Sequence, residues 1–247
     1  MKRRLPLPVN AKRLFERHGH LGATTVFKFT SRAVAEKMLS EGSIKIGSLK
    51  EYRDIESKKL RDRNEGMNIA IAGDRTTFRE IPDLNPFRRA FNVTGSGNDG
   101  VIKGIGIIEE FDFPICCFSY ASGEAARDSL VDEDNGYDCC VKVSDIFGLC
   151  EKIADHLSTA CRIDVRYRCL PVLYQRKVLS ATDDGLLNDF SAFLKPPIFS
   201  ENVECRILFR LATDPHKLTL IGKDDAHNSF ILRDKRFAEH FSLIEQA

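Results

Sequence analysis

The sequence predicts an α+β fold: mixed, largely antiparallel sheets with flanking helices, in a single domain. Three observations lead there. The run NVECRILFRL (202–211) alternates apolar and polar residues with the period of a strand. Ile146, Leu149, Cys150, Ile153 and Leu157 recur instead at helical spacing. No repeat, low-complexity tract or long linker divides the 247 residues, a length that gives one large domain an ample core.

In chain order, residues 1–20 read as a basic leader and 21–247 as the domain. TTVFKF (24–29) is a strand. SRAVAEKMLSEG follows as a helix, with Thr30 or Ser31 as its cap, Ala35, Met38 and Leu39 on the buried side and Gly42 as its stop. SIKIGSL is a second strand. MNIAIAG, AFNVTG and VIKGIGIIEEF read as strands joined by turns, with prolines at 82 and 86 breaking the stretch. PICCFSY (114–120) is apolar almost throughout, as an interior strand is. YDCCVKV is a strand, and Ser144 caps the long helix after it. CRIDVRYR is strand-like. DDGLLNDFSAFL reads as a helix with Leu187, Phe190 and Leu194 on one face, ended by Pro196–Pro197. In NVECRILFRL the alternation places Val203, Cys205, Ile207, Phe209 and Leu211 inward and Glu204, Arg206 and Arg210 on a polar outer face. KLTLIG is strand-like, and the chain closes in a helix through Phe237, Phe241 and Ile244.

Composition narrows the function classes. Lys+Arg is 37 against Asp+Glu 36, which argues against a whole-protein electrostatic grip on nucleic acid or an anionic membrane. The leader is a local exception, with Lys2, Arg3, Arg4, Lys12, Arg13 and Arg17 against Glu16 alone. No apolar run approaches the roughly 20 residues of a membrane span, and the start has no secretory h-region. The eight cysteines form no disulfide framework, so reduced thiols and a cytoplasmic location are expected.

Few catalytic motifs survive inspection. GSGNDG (95–100) has the spelling of a phosphate loop, but the β-branched VIKGIGII after it suits a hairpin turn rather than a helix. NVT at 92–94 is a glycosylation pattern by spelling only. No C-x-x-C or H-E-x-x-H is present and the six histidines are scattered, so no metal is expected. The G-x-S-x-G elbow is missing, and the cysteines lie in apolar runs that disfavour a thiolate. Two features carry more chemistry. After Leu49 the stretch to Gly66 is densely charged with both signs, which is either a solvated face or one wall of a polar cleft. Glu204 shares a strand face with Arg206, either as a structural pair on a solvated face or as a carboxylate held over a cleft to stabilise a developing cation.

Four segments, FKF…AEKMLSEGSIKIGSLKEYR, RDRNEG, ICCFSY…GYDCCVKVSDIF and FLKPPIFSENVECRILF, together resemble a bacterial family catalogued as domain of unknown function 2971. The correspondence runs over residues 26–210 through Tyr52 with Arg53, Glu65–Gly66, Cys117–Phe118–Ser119, Gly136–Tyr137, and Lys195 with Glu204-x-Arg206. The chain departs from the family at RDRNEG, where an Asn-Asp-Pro-Phe-like turn is common, and in having no Trp where a Trp-rich segment follows the Ser strand. The order of polar positions is also similar to that of ADP-ribosyltransferases. Lys28 or Arg53 stands for the early polar residue, Ser119 for the middle one and Glu204 for the late one, with Asn202 two positions before it.

That resemblance implies NAD as substrate, bound through Lys28, Tyr52, Arg53, Ser119 and Asn202, with Glu204 catalytic and no metal. It implies an NAD-consuming transferase or glycohydrolase, a toxin or phage-defence effector, acting on a protein or nucleic-acid acceptor beside a cognate antitoxin or defence-system partner and away from membranes. The competing expectation is a non-enzymatic nucleic-acid-binding or protein-interaction module that uses the leader and the Lys58–Arg63 segment.

Overall fold

The apolar run at 114–120 becomes the strand on which the others are arranged. The computed structural model describes residues 3–7, 12, 15–16, 20–54, 67–72, 76–81, 101–102, 106–110, 112–121, 136–175, 178–180, 188–211 and 229–244, some by backbone alone. Within them β1 (Val26–Thr30), α1 (Arg32–Glu41), β2 (Ser43–Ser48) and α2 (Leu49–Asp54) open the domain. The short strands β3 (Met67–Ile71), β4 (Thr76–Thr77), β5 (Val101–Ile102) and β6 (Gly106–Glu110) follow, then β7 (Pro114–Ser119) and β8 (Cys139–Val143). After α3 (Ile146–Cys161) come β9 (Val165–Pro171), β10 (Leu173–Tyr174), β11 (Val178–Ser180), β12 (Leu194–Lys195) and β13 (Glu204–Leu211). The chain ends in β14 (Phe230–Arg233), α4 (Lys235–Ala238) and β15 (Phe241–Ile244). The fold is α+β, with a largely antiparallel main sheet and helices against it.

The main sheet runs β14-β2-β7-β1-β8-β15, and β13 joins β7 to β9. One edge of β7 is covered by β13, in register from Glu204 opposite Ser119 to Leu208 opposite Ile115. Its other edge is divided. Pro114 and Ile115 face Ser48 and Gly47 of β2, whereas Ser119 faces Phe27 of β1. In the interval between, the Cys117 carbonyl accepts a hydrogen bond from Lys28 Nζ at 2.8 Å. A backbone acceptor left without a strand partner is costly to bury, and here a side chain satisfies it.

Both faces of this sheet are covered. On one, α3 lays Ile146, Leu149, Ile153 and Leu157 over Val141, Tyr167, Ile207 and Phe209, all 0–1% exposed. On the other, Ile115, Leu170 and Leu208 pack with Phe190, Phe193 and the leader's Phe15. The leader's residues 3–7 lie along the β9 edge, where Leu5 N–H donates to the Tyr167 carbonyl at 2.8 Å. Arg3 is drawn into ion pairs with Asp155 at 2.5 Å and Asp164 at 3.2 Å.

Several expectations change. The alternation in β13 does not mark a solvated face: Glu204 is 7% exposed and Arg206 0%, because residues 188–195 and β10 cover the polar side, and of its three charged residues only Arg210 stays outside. The segment Asn188–Phe193 is a 3-10 turn rather than an α-helix and runs into β12, since Pro196 holds the residue before it extended. The cap of α3 is Asp145, one residue after Ser144; its side chain accepts from Gly148 N–H at 3.0 Å. The closing helix stops at Ala238, and Phe241–Ile244 instead pairs with the open edge of β8, where backbone hydrogen bonding overrides the helical spacing. Phe230–Arg233, unread in the sequence, is a strand on β2. The expectations for the Lys58–Arg63 segment, Glu65–Gly66, AFNVTG, GSGNDG and KLTLIG fall outside the described residues.

Gly42 ends α1 as expected, at φ 64°, with its N–H on the Met38 carbonyl at 3.1 Å. A Cβ there would collide with the Asp234 carbonyl and crowd Ala238 N. Gly42→Ala is therefore expected to destabilise the protein by more than about 1 kcal/mol in a urea titration, and a variant as stable as the parent would contradict this.

Candidate functional site

β13 begins under constraint. Pro197–Asn202 forms a 3-10 turn, and Val203 after it sits at φ 41°, a left-handed conformation that a β-branched residue rarely adopts. Val203 is fixed on both sides, its carbonyl accepting from Tyr120 N–H at 2.8 Å and its N–H pointing to the Ser200 carbonyl at 3.3 Å. Strain of this kind gathers at functional sites. Here it delivers Glu204 as the first residue of the strand.

Glu204 is held from three directions. Arg206, two residues along the same face, donates through Nε to Oε1 at 2.7 Å and through Nη2 to Oε2 at 3.3 Å. Lys195 Nζ lies 2.8 Å from Oε2, and both side chains of that pair are under 10% exposed. The Glu204 N–H donates to the Tyr174 hydroxyl at 2.8 Å. Tyr174 and Lys195 are themselves register partners, because β10 and β12 pair in parallel. The Arg206 guanidinium also donates to the Ala192 carbonyl, and Lys195 lies 5.2 Å from the centre of the Phe199 ring.

Burial by itself would raise the Glu204 pKa, but the Arg206 and Lys195 charges outweigh it and hold the carboxyl below the usual carboxylate range. The sign for stability follows. A folded pKa below the unfolded value of about 4.3 gives stability that is present at neutral pH and is lost as the pH falls through the folded value.

Ser119, directly opposite Glu204 on β7, donates its hydroxyl to the Asn202 carbonyl at 2.9 Å and accepts from Ala121 N–H at 3.1 Å. It ties the end of β7 to the turn that aims Glu204. Lys28 is half-buried, with its ammonium 5.7 Å from the Phe118 ring centre. Burial works against this charge, yet the surrounding Cys116, Tyr137, Cys117 and Glu204 leave its pKa raised, so it stays protonated. Burial also pushes up the Tyr52 phenol and the Cys117 thiol, and Cys116 to about 11, which leaves no thiolate near neutral pH.

These side chains meet at one cavity of about 80 Å³. Lys28, Tyr52, Ser119, Asn202 and Glu204, five of the six residues singled out in the sequence, line it. The sixth, Arg53, lies in α2, and its side chain is outside the described residues. Lys195 and Tyr137 also line the cavity, and Phe27, Phe29 and Phe118 give it aromatic walls. Neither Lys195 nor Tyr174 was assigned a role from sequence. Lys195, between an apolar pair and two prolines in FLKPP, was marked only as one of the positions that carry the family resemblance, with Glu204-x-Arg206. No comparable signal marks Tyr174.

Among the described residues no group of three His, Cys, Asp or Glu side chains is arranged to hold a metal, and no helix is long and apolar enough to cross a membrane. Compared with protein-family models, curated proteins and solved structures, the chain matches none.

Removing one member of a buried charge cluster leaves the others desolvated. Arg206→Met, close in length and apolar, is expected to destabilise the protein by about 3–5 kcal/mol, read as a lower midpoint in chemical denaturation. A loss below about 1 kcal/mol would show that the pair behaves as an exposed one.

Proposed function

We propose that the chain is an NAD-consuming enzyme of ADP-ribosyltransferase-like type, with its reacting centre at Glu204. The observation that carries this is the position of Glu204: a carboxylate kept ionised on the wall of a cavity shared with Lys28, Tyr52, Ser119 and Asn202. The similarity to domain family 2971, and with it a role as a toxin or phage-defence effector, belongs to the same proposal.

The chemistry fits these groups. The bond between nicotinamide nitrogen and ribose C1′ breaks, nicotinamide leaves with the electron pair, and positive charge develops at C1′ and the ring oxygen. A fixed negative charge beside that centre is stronger in the transition state than in the ground state, which is what accelerates a step. Glu204 Oε1 accepts from Arg206 Nε and retains acceptor capacity for a ribose hydroxyl. The nucleophile, water or an acceptor group, then bonds to C1′ and gives its proton to solvent.

Lys28 supports an anionic ligand. Its hydrogen-bond partner is a neutral carbonyl, and among the described residues no carboxylate pairs with it, so a pyrophosphate oxygen would complete its donors. The cavity is far smaller than the roughly 300–1,000 Å³ of sites that engulf a whole drug-sized ligand, and smaller than the roughly 150 Å³ that one aromatic ring fills, so the dinucleotide would lie across its open mouth and reach Glu204 with one edge of its nicotinamide end.

Because Glu204 is buried between two cations, activity has to be compared at equal folded fraction. Nicotinamide release from NAD is expected with protein or nucleic-acid acceptors present. Glu204→Gln should lower the rate about 10²–10³-fold, and the charge-retaining Glu204→Asp less. Absence of release with every acceptor, or unchanged release in Glu204→Gln, would overturn the proposal.

A further inference from the structure

The basic leader contains one residue that its charge does not explain. Phe15 is 0% exposed, and its ring centre lies 5.9 Å from that of Phe190 and 6.3 Å from that of Phe193. Phe190 and Phe193 are 6.5 Å from each other, so the three rings close a triangle. The Phe15–Phe193 pair is edge-to-face, an arrangement that attracts beyond the area it buries. A second thread joins the leader to the same place. The Pro6 carbonyl accepts from Arg168 Nη1 at 3.1 Å, and the Arg168 guanidinium lies 4.7 Å from the centre of the Phe190 ring.

Phe190 and Phe193 belong to the 3-10 segment Asn188–Phe193. Hydrogen-bond geometry in a 3-10 helix is poor and such segments are short, so side-chain packing has to place this one. Ala192, between the two aromatics in sequence, is 0% exposed, and its carbonyl accepts from the Arg206 guanidinium. Two residues after Phe193, Lys195 Nζ lies 2.8 Å from Glu204 Oε2. The stretch 190–195 therefore touches the leader through its rings and the charge cluster through Ala192 and Lys195. The leader's contacts with the β9 edge are of another kind. Arg3 pairs with Asp155 and Asp164, whose side chains are 56% and 44% exposed, and a single isolated bridge joins Arg4 to Tyr167. Exposed ion pairs are weak and are screened by salt, so the aromatic contact is the stronger anchor.

We propose that the leader is a positioning element of the Glu204 site, in which Phe15, docked on Phe190 and Phe193, keeps the 188–195 layer closed over the charge cluster. The inference concerns how Glu204 is held, and only its consequence for rate rests on the NAD reading.

The test follows the Glu204 carboxyl carbon by NMR in the parent, in Phe15→Leu and in Phe15→Ala, with circular dichroism recording that each chain is still folded. Phe15→Leu keeps most of the apolar volume and is expected to leave Glu204 ionised as in the parent. Phe15→Ala loosens the layer that presents Lys195 and Ala192, so Glu204 should titrate within the folded state, at a midpoint moved up toward the ordinary value of about 4.3. Nicotinamide release, measured at equal folded fraction, should fall in the same variant. A Phe15→Ala protein that melts lower yet keeps Glu204 ionised as the parent does would show that Phe15 only fills the core, and would overturn the proposal. Hydrogen exchange of the parent in rising urea decides the matter if Phe15→Ala does not fold. The amides of Phe15 and Glu16 and those of 188–195 are expected to open together, ahead of α3. Protection of 188–195 that persists after Phe15 and Glu16 have opened would contradict it. Both readouts are independent of NAD, so a chain that releases no nicotinamide fails the NAD reading alone.

Discussion

The buried cluster of Glu204 with Arg206 and Lys195 is the interaction on which the rest of the structure depends. It fastens four pieces of chain at one point: β13 through Glu204 and Arg206, β12 through Lys195, the 188–193 turn through Ala192, and β10 through Tyr174. Taking these charges out of water costs several kcal/mol per ion, and well-packed apolar residues of the same volume are often no less stable. Stability alone therefore does not account for the cluster. It fixes one negative charge at one place and keeps it from titrating.

The cavity beside that charge is a product of the way β7 is shared. With β2 at one end of its edge and β1 at the other, the strand leaves an interval, and Lys28 enters it. Ser119, opposite Glu204, closes the far end by holding the Asn202 carbonyl. Backbone register thus places the fixed anion and the half-buried cation on the two strands that flank this end of β7. A strained Val203 keeps the start of β13 where this geometry requires it.

Much of this was legible in the sequence, for identifiable reasons. β7 announced itself because both of its faces are largely buried, β8 because only the exposed Lys142 interrupts its apolar run, and α3 because its apolar spacing is unbroken. Of the five residues that line the cavity, Glu204 was singled out by its place on the polar face of β13, and Lys28, Tyr52, Ser119 and Asn202 by the resemblance of the surrounding segments to known families. The depth of Glu204 was not legible: apart from Leu208, the alternation in NVECRILFRL looks the same whether its polar face meets water or a second layer that neutralises it. Only the covering segment 188–195 distinguishes the two, and its conformation is set by Pro196 and by contacts with distant parts of the chain. The closing strand was misread for a related reason, since Phe237, Phe241 and Ile244 fit a helix and only the open edge of β8 selects the strand.

The most direct test of a carboxylate held ionised in this cluster is a carbon-13 NMR titration of the Glu204 carboxyl carbon, assigned by its loss in Glu204→Gln. The expected result is a resonance that stays at the ionised position while exposed glutamates titrate near about 4.3, and that changes only as the protein unfolds in acid. A midpoint at or above the ordinary glutamate value would contradict it, and the charge assigned to this site would be lost.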